Sequence, residues 1–173
     1  PTPRSRSTLV RRFFSAMWGM SDAMIPRLVA GPRNEFHPPL AGGFDPEGRP
    51  SGLMYPTPDN LYTFGRYEVD DDQALIVTVT PVACRYWSFY LGSLFQQSLP
   101  YGEGYGLITR EMADLESDGS VTFVISAEDP GRPNWLPTQS HRQGMMALRW
   151  LLPDVDEAPL PSCRLVALGE LGA

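Results

Sequence analysis

The residues best suited to chemistry gather between Asp129 and Trp150. His141 and Arg142 close a Pro-rich loop, and Arg149 follows within the apolar run Met145–Leu152. An imidazole beside a guanidinium is disfavoured in its charged form, so His141 is expected to be neutral and able to accept a proton. The rival reading has His141 bonded to a backbone carbonyl, locking the loop. A guanidinium among apolar side chains needs a partner, because burying it unpaired is costly. That partner is either an internal acid, such as Glu128, Asp129 or Asp59, or the oxyanion or carbonyl of a bound ligand. On the ligand reading, Arg149 and Arg142 hold the anionic group and His141 moves a proton. Asn134 and Trp135 fix the loop, and Tyr62, Trp87 and Tyr90 line an apolar pocket. The chemistry would be proton transfer of lyase, hydratase or isomerase type on a carbonyl- or carboxylate-bearing molecule.

Several other chemistries lack their residues. All 14 basic residues are arginine, which removes the phosphate-loop lysine, Schiff-base lysines and lysine general bases. The only histidines, His37 and His141, are too far apart in sequence for a metal-binding pair, and His37 reads as structural. Asp70-Asp71-Asp72 lacks calcium-loop spacing and reads as a solvated turn. There is no Gly-x-Ser-x-Gly elbow and no Cys-x-x-Cys pair. No metal and no cofactor is therefore expected. Cys84 and Cys163 read as reduced, buried thiols of a cytoplasmic protein.

The net charge of −6 is unevenly spread: residues 1–33 carry six arginines against Asp22 alone, and the rest is strongly acidic. An acidic body disfavours nucleic acid as a partner. No apolar run reaches membrane-spanning length. Arg11-Arg12-Phe13-Phe14 has the look of a twin-arginine signal, but Asp22 interrupts the stretch that follows, and it is read as part of a helix.

The elements that would position these residues follow from periodicity. Leu9, Val10, Phe13, Phe14, Met17, Met20, Met24 and Leu28 recur at helical spacing, which predicts an amphipathic helix over 9–28. Residues 31–58 are crowded with proline and glycine and predict an irregular connection. From Asn60 the period becomes two. Strands are expected over 61–69, 74–80, 85–91, 121–127, 145–152 and 163–168, with 107–115 open between strand and short helix. Both faces of 145–152 are largely apolar, so that strand should be central and Arg149 partly buried. The predicted architecture is a mainly β, jelly-roll-like antiparallel sandwich with an N-terminal amphipathic α-helix. Its divisions are an arm and helix over 1–30, a connection over 31–58 and a sandwich over 59–173.

Specific runs within that pattern resemble a known family. They are Pro58-Asp59-Asn60-Leu61-Tyr62, Tyr86-Trp87-Ser88-Phe89-Tyr90-Leu91, Asp129-Pro130-Gly131-Arg132-Pro133-Asn134-Trp135-Leu136, His141-Arg142-Gln143-Gly144 and Arg149-Trp150. Together they resemble the bacterial family called domain of unknown function 1214, over about residues 55–171. The resemblance implies a jelly-roll-like sandwich and supplies candidate positions, but no mechanism. Residues 100–114, which open with Pro100-Tyr101-Gly102-Glu103-Gly104-Tyr105-Gly106, depart from the family's basic, Asn-containing stretch, and Pro137 stands where an acid is common; if that stretch contributes to a pocket, this member's ligand is expected to differ. The leading expectation is a small-molecule binding protein or enzyme. The alternative is an assembly module that oligomerises through helix 9–28.

Overall fold

Strands rich in Val, Ile, Tyr, Phe and Trp send successive side chains to opposite faces, and here that alternation builds two packed sheets. The computed structural model describes residues 31–37, 40–41, 59–95, 97–99, 106–157 and 159–171. Among these residues the elements are β1 (Glu35–Phe36), β2 (Leu40–Ala41), β3 (Asn60–Glu68), β4 (Gln73–Val79), β5 (Cys84–Gly92), β6 (Leu107–Thr109), β7 (Val121–Ser126), β8 (Trp135–Pro137), β9 (Gln143–Pro153) and β10 (Ser162–Ala167), followed by a 3-10 turn at Leu168–Glu170. One sheet runs β1-β3-β9-β5-β6, with β2 also on β3. The other runs β10-β4-β7-β8. The protein is thus mainly β, as expected. The helix expected over 9–28 lies outside the described residues.

The inner faces meet in one large core. Leu61, Tyr67, Trp87, Phe89, Leu91, Met146, Leu148 and Trp150 come from the first sheet, and Leu75, Val77, Val79, Val121, Phe123 and Ile125 from the second. Phe89 and Phe123 lie with ring centroids 4.4 Å apart, tying the sheets across the middle. Each such side chain contributes about 1.5–3 kcal/mol when fully buried. The outer faces carry smaller clusters: Phe64, Met145 and Ala147 on the first sheet, and Ala74, Ile76, Val124 and Val166 on the second.

Three features depart from the periodicity. The connection 31–58, expected to be irregular, supplies β1 and β2, both paired antiparallel with β3. Gly65 permits the first pairing, since a Cβ there would meet the Glu35 carbonyl oxygen at 2.3 Å. The Pro-rich loop contains β8, which pairs parallel with β7. In the ambiguous stretch 107–115, three residues form β6 and a turn follows, with Met112 N donating to Thr109 O at 3.0 Å.

Candidate functional site

Arg149 sits on β9 between β3 and β5, with Tyr62 and Ser88 as its register partners. The central position and half-burial match the expectation. All three residues share the outer face with Phe64, Met145, Ala147 and Tyr90. The expected acid is not its partner. Arg149 Nε donates to the amide oxygen of Asn60 at 2.8 Å, and its guanidinium carbon lies 5.7 Å from the Tyr62 ring centroid. A neutral amide leaves the positive charge uncompensated, and among the described residues neither Nη atom has a hydrogen-bond partner.

The aromatic neighbours set the character of the face. Tyr62 stacks on Phe64 at 5.9 Å with an interplanar angle of 6°. Phe64, Met145 and Ala147 are buried and form an apolar floor, against which Tyr62 and Tyr90 pack half-buried. Burial raises the Tyr90 phenol above its ordinary value, the neighbouring Tyr62 adds to that, and Arg149 opposes it. Tyr90 therefore keeps its proton at neutral pH and can donate a hydrogen bond. A guanidinium fork beside a phenolic donor on an apolar floor can bind a carboxylate or polarise a carbonyl. No group of acids, histidines and cysteines that could hold a metal occurs among the described residues.

The other predicted positions fall elsewhere. His141 is exposed ahead of β9, its backbone N–H donating to Thr138 O at 2.9 Å. From Gln143 to Arg149 the strand extends roughly 20 Å at about 3.4 Å per residue, so His141 and Arg149 are not brought together. Arg142 is also exposed. It pairs with Asp71 at 2.5 Å and Asp70 at 3.7 Å, and its carbonyl accepts from Val69 N, which pins the loop to the β3–β4 turn. Trp87 points into the core, edge-on to Phe123 with centroids 6.1 Å apart.

Asn134 and Trp135 belong to the second sheet. Asn134 has a φ of 55°, a left-handed conformation that Asn tolerates better than most residues. Its side chain bridges Asp114 and Thr122, accepting from Asp114 N at 2.8 Å and donating to Asp114 O at 2.7 Å and Thr122 O at 3.1 Å. Trp135 donates from Nε1 to Ser126 Oγ at 3.0 Å. The structure thus gathers Arg149, Tyr62 and Tyr90 and separates the remaining five. Sequence reasoning missed Asn60, although its spacing of two from Tyr62 already put both on one face.

The chain matches the family described as protein of unknown function (DUF1214) over residues 57–155, which include the Arg149 face. It is similar to the crystal structure of an uncharacterized protein from Burkholderia cenocepacia, with 26% identity and a TM-score of 0.67, covering 80% of this chain and 36% of that one. It also matches the VPA0106 protein from Vibrio parahaemolyticus at 17% identity and a TM-score of 0.48, covering 77% and 31%. The chain spans about a third of the length of these solved structures. No curated protein matches it.

Proposed function

This chain belongs to the DUF1214 family, and we propose that it is a small-molecule binding protein or enzyme that takes a largely apolar ligand bearing a carboxylate or carbonyl on its Arg149 face. The observation that carries this reading is the state of Arg149: held by Asn60 and Tyr62, yet with both Nη atoms lacking partners among the described residues. The ligand's oxyanion or carbonyl accepts from these N–H groups, Tyr90 donates alongside, and the apolar body packs on Phe64, Met145 and Ala147. Any proton transfer here falls to Tyr90 or Tyr62, since His141 stands beyond the far end of β9.

We read the sandwich as jelly-roll-like, because the chain changes sheet between β3 and β4, β4 and β5, β6 and β7, β8 and β9, and β9 and β10. Residues 59–173 are its body, preceded by the arm 1–30 and the connection 31–58. We take its compartment to be the cytoplasm, where the unpaired thiols Cys84 and Cys163 stay reduced.

The test is calorimetric titration of the full chain with benzoate, phenylacetate and octanoate. Wild type is expected to bind at least one of them, and Arg149→Met to weaken that binding by about tenfold or more with an unchanged circular dichroism spectrum. Equal affinity in the variant, or no binding of any carboxylate, refutes the assignment.

A further inference from the structure

The outer face of the second sheet holds a groove of about 300 Å³ that none of the Arg149-face residues lines. Its floor is Ile76 and Val124, directly opposed in the β4–β7 register and both buried. On one side Arg164 of β10 pairs in register with Ile76. On the other side the loop carrying Asp114 and Glu116 runs beside the start of β7, held there by the three Asn134 hydrogen bonds and by Glu116 N donating to Ser120 O. Arg132 closes one end by donating from Nε and Nη2 to Leu171 O at 2.9 and 2.5 Å.

The charges of this groove are left over in a particular arrangement. The guanidinium of Arg164 and the carboxylates of Asp114 and Glu116 have no ion-pair or hydrogen-bond partner among the described residues, although all three line one groove. Three strand-to-strand steps separate the β10 wall from the acidic loop, about 14 Å at about 4.8 Å each. That is too far for the walls to neutralise each other directly, and it is close to the span of an extended chain of three or four residues. We infer that the groove is a second binding site, for a zwitterionic ligand with an apolar middle and the size of a tripeptide. The anionic end meets Arg164, the cationic end meets Asp114 and Glu116, and the middle covers Ile76 and Val124.

The inference is independent of the Arg149 face, and the experiment separates the two. Methyl-resolved NMR of the full chain is recorded during titration with alanyl-leucyl-alanine carrying free termini, up to about 10 mM. Saturable shifts are expected at Ile76 and Val124. Amidating the peptide's carboxyl end, or acetylating its amino end, should each weaken binding about tenfold. Arg164→Gln should weaken the free peptide equally and make amidation irrelevant, while Asp114→Asn with Glu116→Gln should do the same for acetylation. All of these side chains are exposed, so folding should be retained. The inference is overturned by an absence of saturable shifts, by shifts confined to Met145 and Ala147, or by affinities indifferent to both charge changes.

Discussion

Arg149 and Tyr62 face each other directly across the β3–β9 pairing, with the guanidinium carbon 5.7 Å from the ring centroid. The contact and the Asn60 hydrogen bond hold the side chain in one orientation, which on the proposed reading would lower the ordering cost of binding.

That relationship should be measurable as a coupling. Arg149→Ala is expected to cost about 1–2 kcal/mol through loss of the cation–π contact and the Asn60 bond. A double-mutant cycle with Tyr62→Leu should return a coupling of about 0.5–1 kcal/mol in urea denaturation. A coupling of zero would mean that the two side chains are merely adjacent.

Gly144 makes the sharpest packing prediction. A Cβ there would lie 2.3 Å from the Gly92 carbonyl oxygen and 2.6 Å from the Tyr67 ring and hydroxyl. The first obstacle is backbone of the neighbouring strand and cannot swing aside. Gly144→Ala should therefore destabilise by about 1–3 kcal/mol or more, and adding Tyr67→Leu should recover only part of the loss. An unchanged urea midpoint for Gly144→Ala would contradict this packing.

Asn134 combines a left-handed backbone with three side-chain hydrogen bonds. Asn134→Gly keeps the conformation and loses the bonds, whereas Asn134→Ala loses both. Alanine should be the more damaging change by about 1 kcal/mol. Thermal melts of the two variants decide it, and equal melting temperatures would remove the conformational argument.

Alkaline pH should unfold the protein by a stepwise loss. Burial, helped by the charge of Glu35, pushes the Cys163 thiol up to about 12. Burial alone pushes the Tyr67 phenol well above its ordinary value, and its hydroxyl has no hydrogen-bond partner among the described residues. Both groups hold their protons more tightly when folded. Their contribution is complete below the unfolded values, about 9 for the thiol and 10 for the phenol, and is lost as pH rises toward the folded ones. Stability should therefore decline from about pH 9 upward. Cys163→Ala should remove the earlier part of the decline and Tyr67→Phe the later part. At neutral pH Tyr67→Phe should cost little, since no bond is lost. A steeper alkaline decline in Tyr67→Phe would reverse the assignment.

Much of the sheet region was legible because alternation is a local signal. The two faces of β9, its central place and the half-burial of Arg149 all follow from apolar residues on both sides of one run. The same alternation already put Trp87 and Tyr90 on opposite faces of β5, so one outer-face ligand cannot line both. Likewise, His141 and Arg149 are close in number but separated along an extended strand. The elements that escaped were too short for any period to show. β1 and β2 have two residues each, and β8 has three inside a proline-rich loop. Pairing partners are long-range facts. Nothing near Asn134 in the chain announces that it braces Asp114, or that Asn60 rather than an acid receives Arg149.

The family match ends at residue 155, yet β10 lies beyond it and pairs with β4 at every position from Ser162 to Ala167. A fragment cut at that boundary would strip β4 of its neighbour and leave a hydrophobic strand, Gln73–Val79, with a row of unsatisfied amides and carbonyls. Such an edge is a template for another chain. The fragment should self-associate through β4, and adding a synthetic β10 peptide in trans should reverse that association.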